Sequence, residues 1–355
     1  MVALASRHHI ALWLLICCAM VFVMALLGAI TRLTESGLSI TEWQPVTGAL
    51  PPLSETEWNK AFDDYKSIPQ YQVLNRGMTL AAFKGIYFWE WLHRLWGRLI
   101  GLVFALPFIY FSVRKKFGFQ PRLDCSDDKR LSCLGFRLLI IFVLGGLQGF
   151  IGWFMVKSGL SLRTSVSPYR LAMHLDFALL LYALLLWTAL DLLDPRGPLQ
   201  KNYKNSARFG WATLGLLVVT MTWGAFVAGL RAGEVYNTWP LMDGQFLPAA
   251  SLAILPTWHN FFENTALVQF IHRWLAPATA SAILLWVVQL WLCHESQKER
   301  RWIAALGIMA VTQVALGLTV LLTHVEIVIA TCHQAGAIML LSLLLINMRR
   351  LKRPV

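Results

Sequence analysis

Charge is scarce along this chain of 355 residues: only 14% are Asp, Glu, Lys or Arg, against about 25% in soluble domains. With 57% hydrophobic residues and a mean hydropathy of +0.56, that shortage excludes a pair of soluble domains and points to a polytopic membrane protein. Acidic residues are fewer than basic ones, 19 against 31, and the inner halves of the apolar stretches are nearly free of them. A proton-relay pump, which needs ionisable groups along a path across the bilayer, is disfavoured for that reason. No C-x-x-C pair occurs among the cysteines, and Cys125 and Cys133 stand alone in one loop, so a zinc site there is not expected. No small-residue cleavage site follows residues 10–30, which therefore read as a retained span rather than a removed signal.

What the chain does have is eight stretches long enough to cross a hydrocarbon core, each near the required ~20 residues. They are 10–30, 87–112, 135–156, 168–192, 209–230, 264–292, 302–322 and 326–348. The net charge of +12 gathers at Arg7, in 114–130, 196–208 and 298–301, and in 349–353. These are the termini and every second loop, so the basic residues set topology and meet anionic lipid, with no nucleic acid implied. Both termini are expected in the cytoplasm, and the connections 31–86, 157–167, 231–263 and 323–325 face outward. None of Cys17, Cys18, Cys125, Cys133, Cys293 and Cys332 falls in an outward loop, so a disulfide on the oxidising side is not expected.

The two halves echo each other. Glu90, His93 and Arg94 in span 2 parallel Gln269, His272 and Arg273 in span 6. Gln148 and Gly152 in span 3 parallel Gln313 and Gly317 in span 7, and His174 parallels His333. The fold class is therefore all-α, eight transmembrane helices forming two pseudo-symmetric four-helix bundles, residues 1–195 and 196–355, related by an axis along the membrane normal. The long outward loop 31–86 carries a capping-box pattern, Ser54-Glu-Thr-Glu57, before Trp58, Ala61, Phe62 and Tyr65 at helical spacing. Pro69 is expected to stop that helix, and a second short helix is expected over Leu80–Ile86. Such segments can form a lid over the bundle.

Four histidines carry the chemistry. His93, His174, His272 and His333 lie about six to eight residues inside the outer ends of the even-numbered spans, hence about 9–12 Å deep at 1.5 Å per residue. Ionisable side chains at that depth mark function. Two imidazoles facing each other across a bundle can hold a haem iron axially, so one pair per half gives two haem sites in a single outward layer. Glu90 shares a helix face with His93, whereas its counterpart Gln269 cannot ionise. A carboxylate beside one haem only suggests that one site does chemistry and the other keeps a redox cofactor. The alternative is that Glu90 orients His93 or pairs with an arginine. Arg94 and Arg273 directly follow the ligand candidates and can anchor haem propionates. Arg98, Arg32, Lys84, Arg170 and Arg231 are further candidates, while His324 and Glu326 flank the last outward turn.

Several long stretches resemble one family. They are Gly28-Ala-Ile-Thr-Arg-Leu-Thr-Glu-Ser-Gly-Leu-Ser-Ile-Thr-Glu-Trp43 with Pro45, Gly48 and Pro51-Pro52, then Trp89-Glu-Trp-Leu-His-Arg-Leu-Trp-Gly-Arg98. Val227-Ala-Gly-Leu-Arg-Ala-Gly-Glu-Val-Tyr-Asn-Thr-Trp-Pro-Leu-Met-Asp-Gly244 and His333-Gln-Ala-Gly336 complete the set. The chain is similar over nearly its whole length to the haem A synthase family, in its proteobacterial and mitochondrial-type branch. It lacks the outward cysteine pair of the other branch.

That resemblance implies oxidation of the C8 methyl of haem O to a formyl group by successive hydroxylations, with water as oxygen source. The product is haem A for terminal oxidase assembly. It implies a haem b cofactor on His272 and His333, and substrate haem on His93 and His174 with Glu90 at its reacting edge. Haem O synthase is the implied partner, beside an electron acceptor that the sequence does not name, and a homo-oligomer is compatible. The location implied is a bacterial inner membrane. A dihaem b-type electron-transfer cytochrome or a haem carrier would also explain four histidines, but not the one-sided carboxylate.

Overall fold

The computed structural model describes residues 2–44, 47–120, 130–160, 163–194, 196–199 and 203–354; Pro45, Arg122, Cys125 and Lys129 lie outside them. Among the described residues, eight helices are long and apolar enough to cross a membrane. They are α1 (Val2–Leu33), α4 (Leu80–Val113), α5 (Arg130–Lys157), α6 (Pro168–Leu193), α7 (Lys204–Gly229), α9 (Thr265–Cys293), α10 (Gln297–Leu322) and α11 (Ile327–Arg350). Between the spans lie the short helices α2 (Glu55–Lys66), α3 (Pro69–Val73) and α8 (Asn260–Glu263). The chain is a multi-pass membrane protein.

Local chemistry places the helix starts. The Thr79 hydroxyl accepts from the Ala82 N–H at 3.2 Å and begins α4 at Leu80, ahead of the start at 87 expected for span 2. Leu80–Ile86 is therefore the outer end of span 2, not the separate short helix expected. Asn264 accepts from the N–H groups of Ala266 and Leu267 to start α9. The Ser54–Glu57 capping box forms as its pattern predicts. Pro69, by contrast, opens α3 at its first turn, where a missing N–H is harmless, rather than only closing α2.

In the first four spans α1 packs on α4 and α6, and α5 on α6. In the last four, α7 packs on α9, and α10 on α9 and α11. Contacts of α6 with α7 and of α1 with α11 join the two groups. The main apolar core gathers toward the end that carries the start of α1 and the end of α11, with Ile10, Leu14, Leu138, Leu185, Trp286, Leu306 and Leu344 buried there. The connections that follow α1 and α7 lie at the other end. A second cluster joins α2 to the outer end of α4, with Phe62 stacked on Phe83 at 4.9 Å and Tyr65 beside it.

Polar groups tie the filled end. Asp191 on α6 pairs with Arg137 on α5 at 2.8 Å and with Arg349 on α11, which also bonds the Asp194 carbonyl. Next to this network, Arg196–Leu199 and Lys352–Pro354 form a short antiparallel strand pair, β1 and β2, absent from an all-α expectation. Cys17, Cys18, Cys293 and Cys332 are free. Cys133, in the first turn of α5, is disulfide-bonded.

Candidate functional site

Each of the four histidines lies against a glycine of a neighbouring span. A methyl group added at Gly152 of α5 would come 2.9 Å from Cε1 of His174, and one at Gly317 of α10 would come 2.9 Å from Cε1 of His333. The same substitution at Gly224 of α7 would meet His272 Cε1 at 3.1 Å, and at Gly28 of α1 would meet His93 Nε2 at 3.3 Å. The repeat in sequence showed Gly152 and Gly317. It missed Gly224 and treated Gly28 only as the first residue of a motif, although each precedes its outward loop by a similar distance.

Among the described residues, no three His, Cys, Asp or Glu side chains converge as a metal cage. Two imidazoles supply too few donors for a bare ion. An iron held by such a pair must bring its equatorial ligands with it, as haem does. The glycine seats and the buried, unpartnered Nδ1 of His333 fit that group.

The rings are held differently. His272 Nδ1 lies 3.1 Å from the Thr220 carbonyl, to which it donates, so Nε2 of the neutral ring carries the lone pair that could serve as a ligand. Gln148 reaches from α5 to His174, its amide nitrogen 3.0 Å from the backbone carbonyl and 3.2 Å from Nδ1. Gln313 makes the matching 3.0 Å bond to the His333 carbonyl.

Glu90 is buried, 2% exposed, and all its contacts are donors. Arg94 Nη2 binds its Oε1 at 2.6 Å and Arg94 Nε at 3.1 Å. The Ser39 hydroxyl and the Ile40 N–H each bind its Oε2 at 2.8 Å. Arg94 also donates to the carbonyls of Ile40 and Glu42. The pair thus fastens span 2 to the loop that follows α1. In the second half, Gln269 and Arg273 both donate to the Tyr236 carbonyl, and Arg273 also reaches the Leu241 carbonyl at 3.0 Å. Both arginines expected at propionates therefore hold the backbone of the loops that follow α1 and α7. Neither Ser39 nor Ile40 was singled out in the sequence, since contacts across 50 residues have no local signal.

The remaining candidates lie around these loops. Arg231 pairs with Glu35, and Arg32 reaches the Ala228 carbonyl, so each crosses between the two groups of spans. Lys84 lies over Trp58 and Arg170 over Phe154, while Arg98 binds the Gln44 carbonyl at 2.8 Å. Glu326 caps α11, and backbone N–H groups of Ile329 and Val328 hold its carboxyl below the usual range. His324 sits beside it in a left-handed turn. Asp176 was overlooked: two residues past His174, it accepts from the Thr222 hydroxyl at 2.9 Å across the α6–α7 seam.

Residues 11–345 match the family described as "Cytochrome oxidase assembly protein". The chain belongs to this family. A protein named "Heme A synthase" from Rhodospirillum centenum is 54% identical over 99% of this chain and 90% of its own length. One of the same name from Parvibaculum lavamentivorans is 46% identical over 98% and 96%. Another, from Nitrosomonas eutropha, is 44% identical over 98% and 95%. All three match this family member nearly end to end, so the glycine-seated histidines and the outward loops lie within the shared region.

Proposed function

We propose that this chain is a haem A synthase, oxidising the C8 methyl of haem O to the formyl group of haem A for terminal oxidase assembly. The observation that carries the reading is four glycine-seated imidazoles in a chain whose near full-length relatives bear that name. The balance is a methyl and water going to an aldehyde, four protons and four electrons. Two hydroxylations each take up one water, and the geminal diol loses one water to leave the aldehyde.

Residues 196–355 form the cofactor half, in which His272 and His333 would hold a haem b, the resident one-electron carrier. The Thr220 carbonyl supports that assignment, because it fixes the His272 ring and its tautomer, as a permanently loaded ligand requires. Residues 1–195 form the substrate half. There His93 and His174 hold haem O, and among the described residues no hydrogen bond restrains the His93 ring. A ring without such a tether suits a ligand that must accept one haem and release another. Glu90, held by Arg94, Ser39 and Ile40, supplies a fixed negative charge near the reacting methyl, where it stabilises positive charge developing as electrons leave. Arg94 and Arg273 hold the loops that follow α1 and α7 by their backbone carbonyls.

The haem layer faces outward in a bacterial inner membrane with both termini in the cytoplasm. Haem O synthase delivers the substrate within the bilayer, and electrons pass to an acceptor outside the chain. The test is mass spectrometry of haems extracted from a host lacking haem A that co-expresses this protein and a haem O synthase. Haem A or its hydroxymethyl precursor supports the synthase. Unchanged haem O beside haem b-loaded protein would establish an electron-transfer cytochrome instead.

A further inference from the structure

Gln148 and Gln313 occupy the same place in the two groups of spans, and neither is explained by packing alone. Each lies four residues before a seat glycine, so both share the helix face that meets the histidine. Each donates its amide nitrogen at 3.0 Å to the backbone carbonyl of that histidine. Each also buries its carboxamide oxygen without a hydrogen-bond partner. An unsatisfied buried acceptor is destabilising, and two at repeat-matched positions call for a donor.

The neighbouring rings contain one. In an imidazole that binds iron through Nε2, Nδ1 keeps its proton and needs an acceptor. His333 Nδ1 is buried and unpartnered, and His174 Nδ1 lies 3.2 Å from the Gln148 amide nitrogen, the atom bonded to the same carbon as the free oxygen. The last torsion of a glutamine is broad, so a modest turn of either carboxamide offers oxygen to the ring. Nothing comparable is needed at His272, whose Nδ1 already has the Thr220 carbonyl.

Resting on the two-haem reading above, we propose that Gln148 and Gln313 are positioning residues. Each orients its histidine through the backbone carbonyl and accepts the Nδ1 proton when Nε2 binds haem iron. Gln313 thereby tunes the resident haem and Gln148 the affinity for substrate haem.

The test uses the full-length protein purified with its haem. Gln313→Leu should shift the midpoint potential of the b haem upward, change its ferric spin-resonance spectrum, and weaken haem retention about 10–100-fold. Haem O binding should persist, which reports folding. Gln148→Leu should weaken haem O binding by a similar factor while the b haem spectrum stays that of the parent. Should a leucine variant fail to fold, Gln313→Glu keeps the size and the acceptor and decides the matter. A lowered potential with retained haem supports the role, and an unchanged one overturns it. Unaltered potential, spectrum and haem affinity in folded leucine variants would likewise overturn it. A parent protein that carries no haem b at all would refute the two-haem reading itself, a separate and visible outcome.

Discussion

Glu90 and Gln269 stand at matching points of the second and sixth spans, each followed four residues later by an arginine, yet they bind their loops differently. Glu90 and Arg94 form a buried ion pair that also grips Ser39, Ile40 and Glu42. Gln269 and Arg273 converge on one shared carbonyl, that of Tyr236, and bury an unpartnered Gln269 oxygen. The histidines differ in the opposite sense: His272 is fixed by a backbone carbonyl, while His93 is not. On the proposed two-haem reading, one scaffold holds a resident group by pinning its ligand and handles a passing one by placing a charge beside a ligand without such a tether.

The strongest way to break the comparison is to remove one histidine from each half. His333→Ala is expected to strip the resident haem and abolish haem A formation. His93→Ala should keep the b haem and still form no haem A. Haem content by pyridine haemochrome and product by chromatography read both. Loss of the b haem from His93→Ala, with retention in His333→Ala, would reverse the assignment of the halves.

Exchanging the carboxylate sharpens it. Glu90→Gln should reduce turnover about 10²–10⁴-fold, the range for a residue acting directly on a reacting group, with the b haem spectrum unchanged. Gln269→Glu supplies Arg273 with the partner its counterpart has, so turnover should fall by less than about 10-fold if only the first half does chemistry. Equal losses in both variants would mean that these residues serve merely to hold loops.

The smallest expected effect concerns the outer segment that the first half has in greater length. Ser54→Ala removes the cap of α2 and should destabilise that segment by about 1 kcal/mol, read as faster hydrogen exchange at Glu57 and Trp58. The Leu53 and Ser54 backbone N–H groups hold the Glu57 carboxyl below its usual range. The sign follows: its contribution is fully present above the ordinary carboxylate range and is lost as pH falls through the lowered folded value. Acidification should therefore loosen α2 in the parent and change it little in Glu57→Gln.

Much of this was legible in the chain. Apolar runs located all eight spans, because length and hydropathy are what a bilayer selects. Span 2 was drawn too short at its outer end, since Lys84 and Gly85 interrupt the apolar signal while the Thr79 cap fixes the true start. The repeat of Gln148 and Gly152 in Gln313 and Gly317 was readable from spacing alone. The Ser39 and Ile40 donors, the Thr222–Asp176 bond and the Thr220 carbonyl were not, for each depends on which faces of distant segments meet. The strand pair at 196–199 and 352–354 brings together two short runs that no hairpin spacing announces.

Asp191 shows how order of synthesis enters such a protein. Arg137 precedes it in the chain and Arg349 follows it by 158 residues. At about 5–20 residues per second, Asp191 exists for about 8–30 s before Arg349 has been made. In that interval spans three and four can already share a compensated charge, whereas the second guanidinium arrives only with span eight. Its arrival turns a partnership between neighbours in the chain into a clasp between the first four spans and the last.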